Sequence, residues 1–180
     1  MRNSILLTAV VAALAALCSA PAAAVRSAQN RTAPAACDVG AYVVDPDPKG
    51  LNVRDAPNVG GRVLAVIPRD EDGTVVHLSA SGPNGWVQIS RAEKIDGTVV
   101  FDKKGWVSGN MLGTETRGYG TNGVKLRGEG KAGKVVGTIP PEMEVRVVGC
   151  AGDRVKVKYR NVVGWLDPDA QCPNPVTLCN

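Results

Sequence analysis

Apolar residues recur at every second position through much of this chain. Trp86-Val87-Gln88-Ile89-Ser90 puts Val87 and Ile89 on one face and Trp86, Gln88 and Ser90 on the other. Val155-Lys156-Val157-Lys158-Tyr159 alternates apolar with basic in the same way. A period of two marks a half-buried strand. β-Branched runs at Ala41–Val44, Arg62–Ile67, Thr74–Ser79 and Glu144–Val148 predict further strands. Turn chemistry parts them: Asp45 to Gly50, Pro68 to Gly73, Ser81 to Gly85, and Ala151-Gly152-Asp153. Asp96-Gly97, between Lys94-Ile95 and Val99-Val100-Phe101, predicts a hairpin. Beyond residue 24 there is no helical period of useful length, so the expected class is all-β.

The pattern is written twice. Gly50-Leu51-Asn52-Val53-Arg54 is answered by Gly123-Val124-Lys125-Leu126-Arg127, and Arg62 to Pro68 by Lys134 to Pro140. Gly105-Trp106-Val107 is answered by Gly164-Trp165-Leu166. Such a repeat sets the architecture: two small units, each of short strands with Gly/Pro punctuation, which is the signature of small β-barrels. The expected divisions are a first domain over 37–113, a linker over 114–122 and a second domain over 123–180. The first carries the Asp96-Gly97 hairpin as an insertion.

Arg2, the apolar run Ile5–Leu17 and Ala22-Ala23-Ala24 read as a signal peptide over 1–24, and Val25–Ala36 as a flexible tether. The run is too short to span a bilayer comfortably, and the bulky Leu17 before Cys18 argues against lipid attachment. No membrane anchor is expected, and the location is periplasmic or secreted. The formal net charge of +4, from 21 basic and 17 acidic groups, comes without any block of one sign. That leaves no electrostatic footprint for nucleic acid. Cys37, Cys150, Cys172 and Cys179 remain after cleavage. An even number in an exported chain points to two disulfides with three possible connectivities. Our expectation is that Cys150 pairs with one cysteine of the C-terminal tail and Cys37 with the other. Aromatics make up 4% of the residues, so Val, Ile and Leu must build the core.

On these residues the chain resembles the bacterial SH3 (SH3b) family in tandem. The resemblance rests on Gly50-Leu51-Asn52-Val53-Arg54 with Pro57, on Arg62–Pro68, on Gly85-Trp86-Val87 and Gly105-Trp106-Val107, and on their second set. It implies two SH3-like, partly open β-barrels. It also implies a non-enzymatic binding or targeting role toward cell-wall peptide or an envelope protein, without a cofactor. The departures matter. Met111 and Ala170 stand where a groove tyrosine is expected, Arg154 takes the place of Trp86, and Gly130 that of Pro57. Binding of proline-rich peptides in the eukaryotic manner is therefore not expected, and the second copy is expected to be mainly structural. For the first copy the expected ligand surface is Trp86, Met111 and Tyr42, with Arg54 as the polar contact.

Other candidates have plainer readings. Gly118-Tyr119-Gly120-Thr121-Asn122-Gly123 spells GxGxxG, and Gly128 to Lys134 approaches a phosphate loop. Each lacks the helix those sites need. His77 is the only histidine, which excludes multi-histidine metal sites, and the cysteines lack metal spacing. The acids Asp45, Asp47, Asp70, Glu71 and Asp72 fall in turns, where solvation explains them. A wall hydrolase acting through those acids, and a purely structural pair of barrels, are the alternatives. Trp106 and Trp165 are expected to pack in the core or at a barrel edge.

Overall fold

The computed structural model of the chain describes residues 33–130 and 133–176; the predicted signal peptide, most of the predicted tether and Cys179 lie outside them. Fourteen strands run in one antiparallel sheet that does not close into a barrel, an all-β architecture consistent with the SH3-like class. They are β1 (Ala35–Val43), β2 (Leu51–Arg54), β3 (Val63–Ile67), β4 (Thr74–Ser81), β5 (Trp86–Lys94), β6 (Val99–Phe101) and β7 (Gly105–Ser108). There follow β8 (Leu112–Thr116), β9 (Val124–Arg127), β10 (Val135–Ile139), β11 (Glu144–Ala151), β12 (Arg154–Tyr159), β13 (Val162–Trp165) and β14 (Gln171–Cys172). Single 3-10 turns at Pro83–Gly85, Gly109–Met111 and Pro168–Ala170 interrupt them. The order is β10-β9-β13-β12-β11-β8-β1-β4-β5-β7-β2-β3, with β6 on β5 and β14 on β8.

The registers repeat as the sequence does. Leu51 pairs with Ile67 and Val124 with Ile139. Arg54 lies opposite Trp106 as Arg127 lies opposite Trp165. Gln88 pairs with Trp106 and Lys156 with Trp165. Both units open on a glycine for one physical reason. Gly50 and Gly123 have φ of +94° and +97°, and a Cβ on either would stand 2.1 or 2.2 Å from the carbonyl oxygen of Ile67 or Ile139. No L side chain fits there.

β8 is common to both units. It pairs with β1 through Tyr42–Gly113 and Val43–Leu112, with β11 through Val145–Thr114, and with β14 through Gln171–Thr116. Thr114 to Thr116, placed in the linker by composition, are therefore strand. Polar Thr-Glu-Thr carries no alternation to announce one. Thr114 and Thr116 are nevertheless buried, and their hydroxyls donate to the Cys172 and Pro140 carbonyls at 2.9 and 2.7 Å.

Ala35 and Ala36, assigned to the tether, begin β1 by pairing with Ser81 and Ala80. Pairing with a partner overrides a segment that has no period of its own. The Cys37–Cys150 disulfide joins β1 to β11 across 113 residues. This overturns the expectation that each of these cysteines pairs with the tail. The Asp38 amide donates to the Gly152 carbonyl at 2.7 Å, and the Gly152 amide to the Ala36 carbonyl at 2.8 Å, which brings the two strands together where spacing alone could not show it. In the chain-entropy view a closed loop of this size contributes about 4–5 kcal/mol. Cys172 is also disulfide-bonded.

The core is continuous through both units. Val39, Leu51, Val53, Ile67, Leu78, Val87 and Ile89 of the first belong to one cluster with Leu126, Ile139, Val147, Val155, Val157 and Leu166 of the second. As composition required, aliphatic side chains fill it, with Phe101 the aromatic member.

Candidate functional site

Strand alternation presents Trp86 and Gln88 outward while Val87 and Ile89 are fully buried. Trp86 lies half-buried at the start of β5, opposite Ser108. The Arg54 guanidinium donates to the Gly61 carbonyl at 2.7 Å and ties down its own lobe. Met111 packs against the core. The 3-10 turn that carries it is pressed onto β11, since a Cβ on Gly109 would stand 2.7 Å from the Val147 carbonyl oxygen. That turn of the first copy thus lies directly against a strand of the second.

Tyr42 leads elsewhere. Its ring is buried, and its hydroxyl makes a long hydrogen bond of 3.5 Å to Glu144 at the start of β11. Burial, reinforced by the Glu144 charge, holds the phenol well above its ordinary pKa, so it stays a donor and does not serve as a base near neutral pH. Beside this pair opens a hollow of about 410 Å³ at the junction of the two copies. Tyr42 to Pro46, Pro68 to Thr74, Glu144, Pro175 and Val176 line it.

The turn acids converge here. Asp70 is paired with Lys94 at 2.8 Å and Glu144 with Arg146 at 3.3 Å. The hydrogen bond from Lys94 lowers the Asp70 pKa and raises that of Lys94. Asp45, Glu71 and Asp72 remain, with Arg69 the cation among the lining residues. The hollow is therefore net negative. Thr74 adds a second feature: it lines the hollow, is 2% exposed, and its hydroxyl has no hydrogen-bond partner. A buried hydroxyl left unpaired costs about 1–3 kcal/mol. Nothing local in the sequence marks Thr74 or Glu144, because the hollow exists only when β1, β4 and β11 meet.

A second concentration of charge surrounds Trp165. Arg127 pairs with Asp167 at 2.7 Å, Arg154 with Asp167 at 3.3 Å and Lys156 with Glu129 at 2.5 Å. The Trp165 indole N–H donates to Glu129 at 3.2 Å, and the Arg154 and Lys156 cations lie 5.7 and 5.4 Å from the ring centroid. Three cations share two carboxylates here, so the patch keeps one positive charge. His77 is a surface residue whose ring nitrogens meet Ser90 Oγ at 3.0 Å and Asp38 at 2.8 Å. The GxGxxG stretch is a turn that runs straight into β9. The phosphate-loop look-alike falls partly outside the described residues. Among the described residues no group of three or more His, Cys, Asp or Glu side chains is placed to hold a metal, and no helix is long and apolar enough to cross a membrane.

No family model matches the chain, and no curated protein matches it. Among solved structures it is similar to NlpC2 and NlpC1 from Trichomonas vaginalis, at 15% and 16% identity with a TM-score of 0.31 for each. Both alignments cover 74% of this chain but only 47% and 45% of the solved chains, so it spans less than half of their length.

Proposed function

We propose that this is an exported, non-enzymatic binding module that holds a cationic peptide segment, from cell-wall peptide or an envelope protein, in the hollow beside Tyr42 and Glu144. The observation that carries the reading is the surplus of acid there. With Asp70 and Glu144 matched by their own cations, Asp45, Glu71 and Asp72 still outnumber Arg69. An amine or guanidinium entering the hollow would meet acceptors in a partly desolvated setting, where charge-assisted hydrogen bonds are strongest. A disulfide between strands of the two copies suits an oxidising compartment, in keeping with export.

The test is retention of the purified protein on cell wall and on immobilised envelope extract. Retention of the native chain, falling with salt and reduced about tenfold or more by Glu71→Gln with Asp72→Asn, is the expected result. Retention on neither material, or retention indifferent to the two neutral variants, ends the proposal.

A further inference from the structure

His77 lies between two β-bulges. On β5 it pairs with Arg91 while its neighbour Leu78 pairs with Ile89, so Ser90 is the extra residue. On β1 the register slips between Ala36 and Val39, and Asp38 falls within the slip. A bulge bends its strand and re-aims a side chain, and bulges gather beside active sites. The β5 bulge turns Ser90 and Arg91 to the same outer face, because Ile89 and Ala92 on either side of them are fully buried.

The result is a line of three polar side chains across three strands. His77 Nδ1 lies 3.0 Å from Ser90 Oγ, and His77 Nε2 lies 2.8 Å from Asp38. An ionised carboxylate only accepts, so Nε2 carries the hydrogen of the neutral ring. Nδ1 then presents its lone pair, and the Ser90 hydroxyl donates to it. A hydroxyl on a base, with the base oriented by a third group, is the arrangement of an activated nucleophile. The acidic hollow uses none of the three.

An electrophile has access. The His77 and Asp38 side chains are 46% and 85% exposed, and Ser90 is partly open. His77 and Arg91 line a second hollow of about 390 Å³, together with apolar Val75 and Ile95. Arg91 gives its Nε–H to Glu93 and stays half exposed. A cation therefore follows the nucleophile on the same face, where a developing oxyanion is stabilised by positive charge.

We propose that Ser90 is an acylation site: with His77 as its base, it takes an acyl group from a small activated carboxylic ester seated in the hollow beside them. Ser90 Oγ bonds to the ester carbonyl carbon as its proton passes to His77 Nδ1. The bond from that carbon to the alcohol oxygen then breaks, and the alcohol leaves with the proton that His77 held. Asp38 is a positioning residue that keeps the imidazole in the reacting tautomer. Each chain takes up one acyl group, a covalent modification separate from whatever the acidic hollow holds.

The experiment treats the full chain with p-nitrophenyl acetate and maps the acetyl groups by peptide mass spectrometry. None of the three side chains belongs to the core, so their variants keep the fold. The native chain should carry acetyl on Ser90. His77→Gln should slow acetylation at Ser90 about a hundredfold, within the range a positioned base contributes. Nitrogen NMR of the His77 ring should find the proton on Nε2 in the native chain. Asp38→Asn should shift that tautomer and lower Ser90 acetylation with it. Acetyl groups on lysines alone, or Ser90 labelling indifferent to His77→Gln, overturns the proposal. A native ring with its proton on Nδ1 does so too. Ser90→Ala should keep the envelope retention of the native chain, so this inference and the binding reading fail separately.

Discussion

Trp106 and Trp165 hold the same place in the repeat, each after a glycine and each opposite an arginine, yet they live in different surroundings. Trp106 is 9% exposed. Gly82 lies on its ring, with a Cβ built there only 2.7 Å from Trp106 Cζ3 and 3.4 Å from Pro57 Cβ. Trp165 is partly open and is bordered by Arg154, Lys156 and Glu129. Two local changes explain this. Five residues separate the paired Ser81 and Val87, enough for a 3-10 turn that folds over the ring, whereas two separate Ala151 and Arg154. Gly130 also stands where the first copy has Pro57. With loop and proline gone, the second copy replaces apolar cover with charges. One backbone plan can bury an indole or leave it to ions, and connection length decides which.

The largest effect should come from emptying the two sites in turn. Trp106→Ala is expected to cost about 3–5 kcal/mol, as for other large core truncations, and Trp165→Ala about 1 kcal/mol, the scale of an exposed cation–π contact. Urea midpoints measure both, and equal losses would erase the contrast. Next in size, Gly82→Ala should cost about 1–3 kcal/mol, because a methyl group there enters the Trp106 ring and the loop or the ring must shift. Acrylamide quenching should meanwhile find Trp165 unchanged. The smallest effect is electrostatic. The hydrogen bond from Lys156, followed by that from the Trp165 indole, holds the Glu129 carboxyl below the ordinary carboxylate range. A depressed pKa contributes stability above the ordinary glutamate value and loses it as pH falls through the folded value. The Trp165 indole proton resonance should therefore move in that acidic window and stay still in Glu129→Gln. Movement in both chains would mean that another group controls the ring.

Much of the plan was legible beforehand. Alternation placed β5 and β12, Asp96-Gly97 gave the β5–β6 hairpin, and the duplicated Gly-x-x-x-Arg motifs became strands of matching register. Even the departures Pro57 to Gly130 and Trp86 to Arg154 marked the spot where the copies differ. The four residues of the expected ligand surface make different kinds of contact. Tyr42 lines a hollow, but Arg54 ties its own lobe and Met111 packs on the core. Trp86 stays at the head of β5, and neither of the two hollows of about 390 and 410 Å³ gathers the four.

The duplicated strand pattern, the aliphatic core and the glycines at 50 and 123 follow from the amino acids themselves, because a period of two and a left-handed backbone are local properties. Tertiary structure alone decided that β8 serves both copies and that Cys37 meets Cys150. It decided too that scattered turn acids gather around Tyr42 and that Asp38 and Ser90 meet His77. Each of those depends on segments far apart in the chain, and no local preference encodes which distant surface a segment will meet.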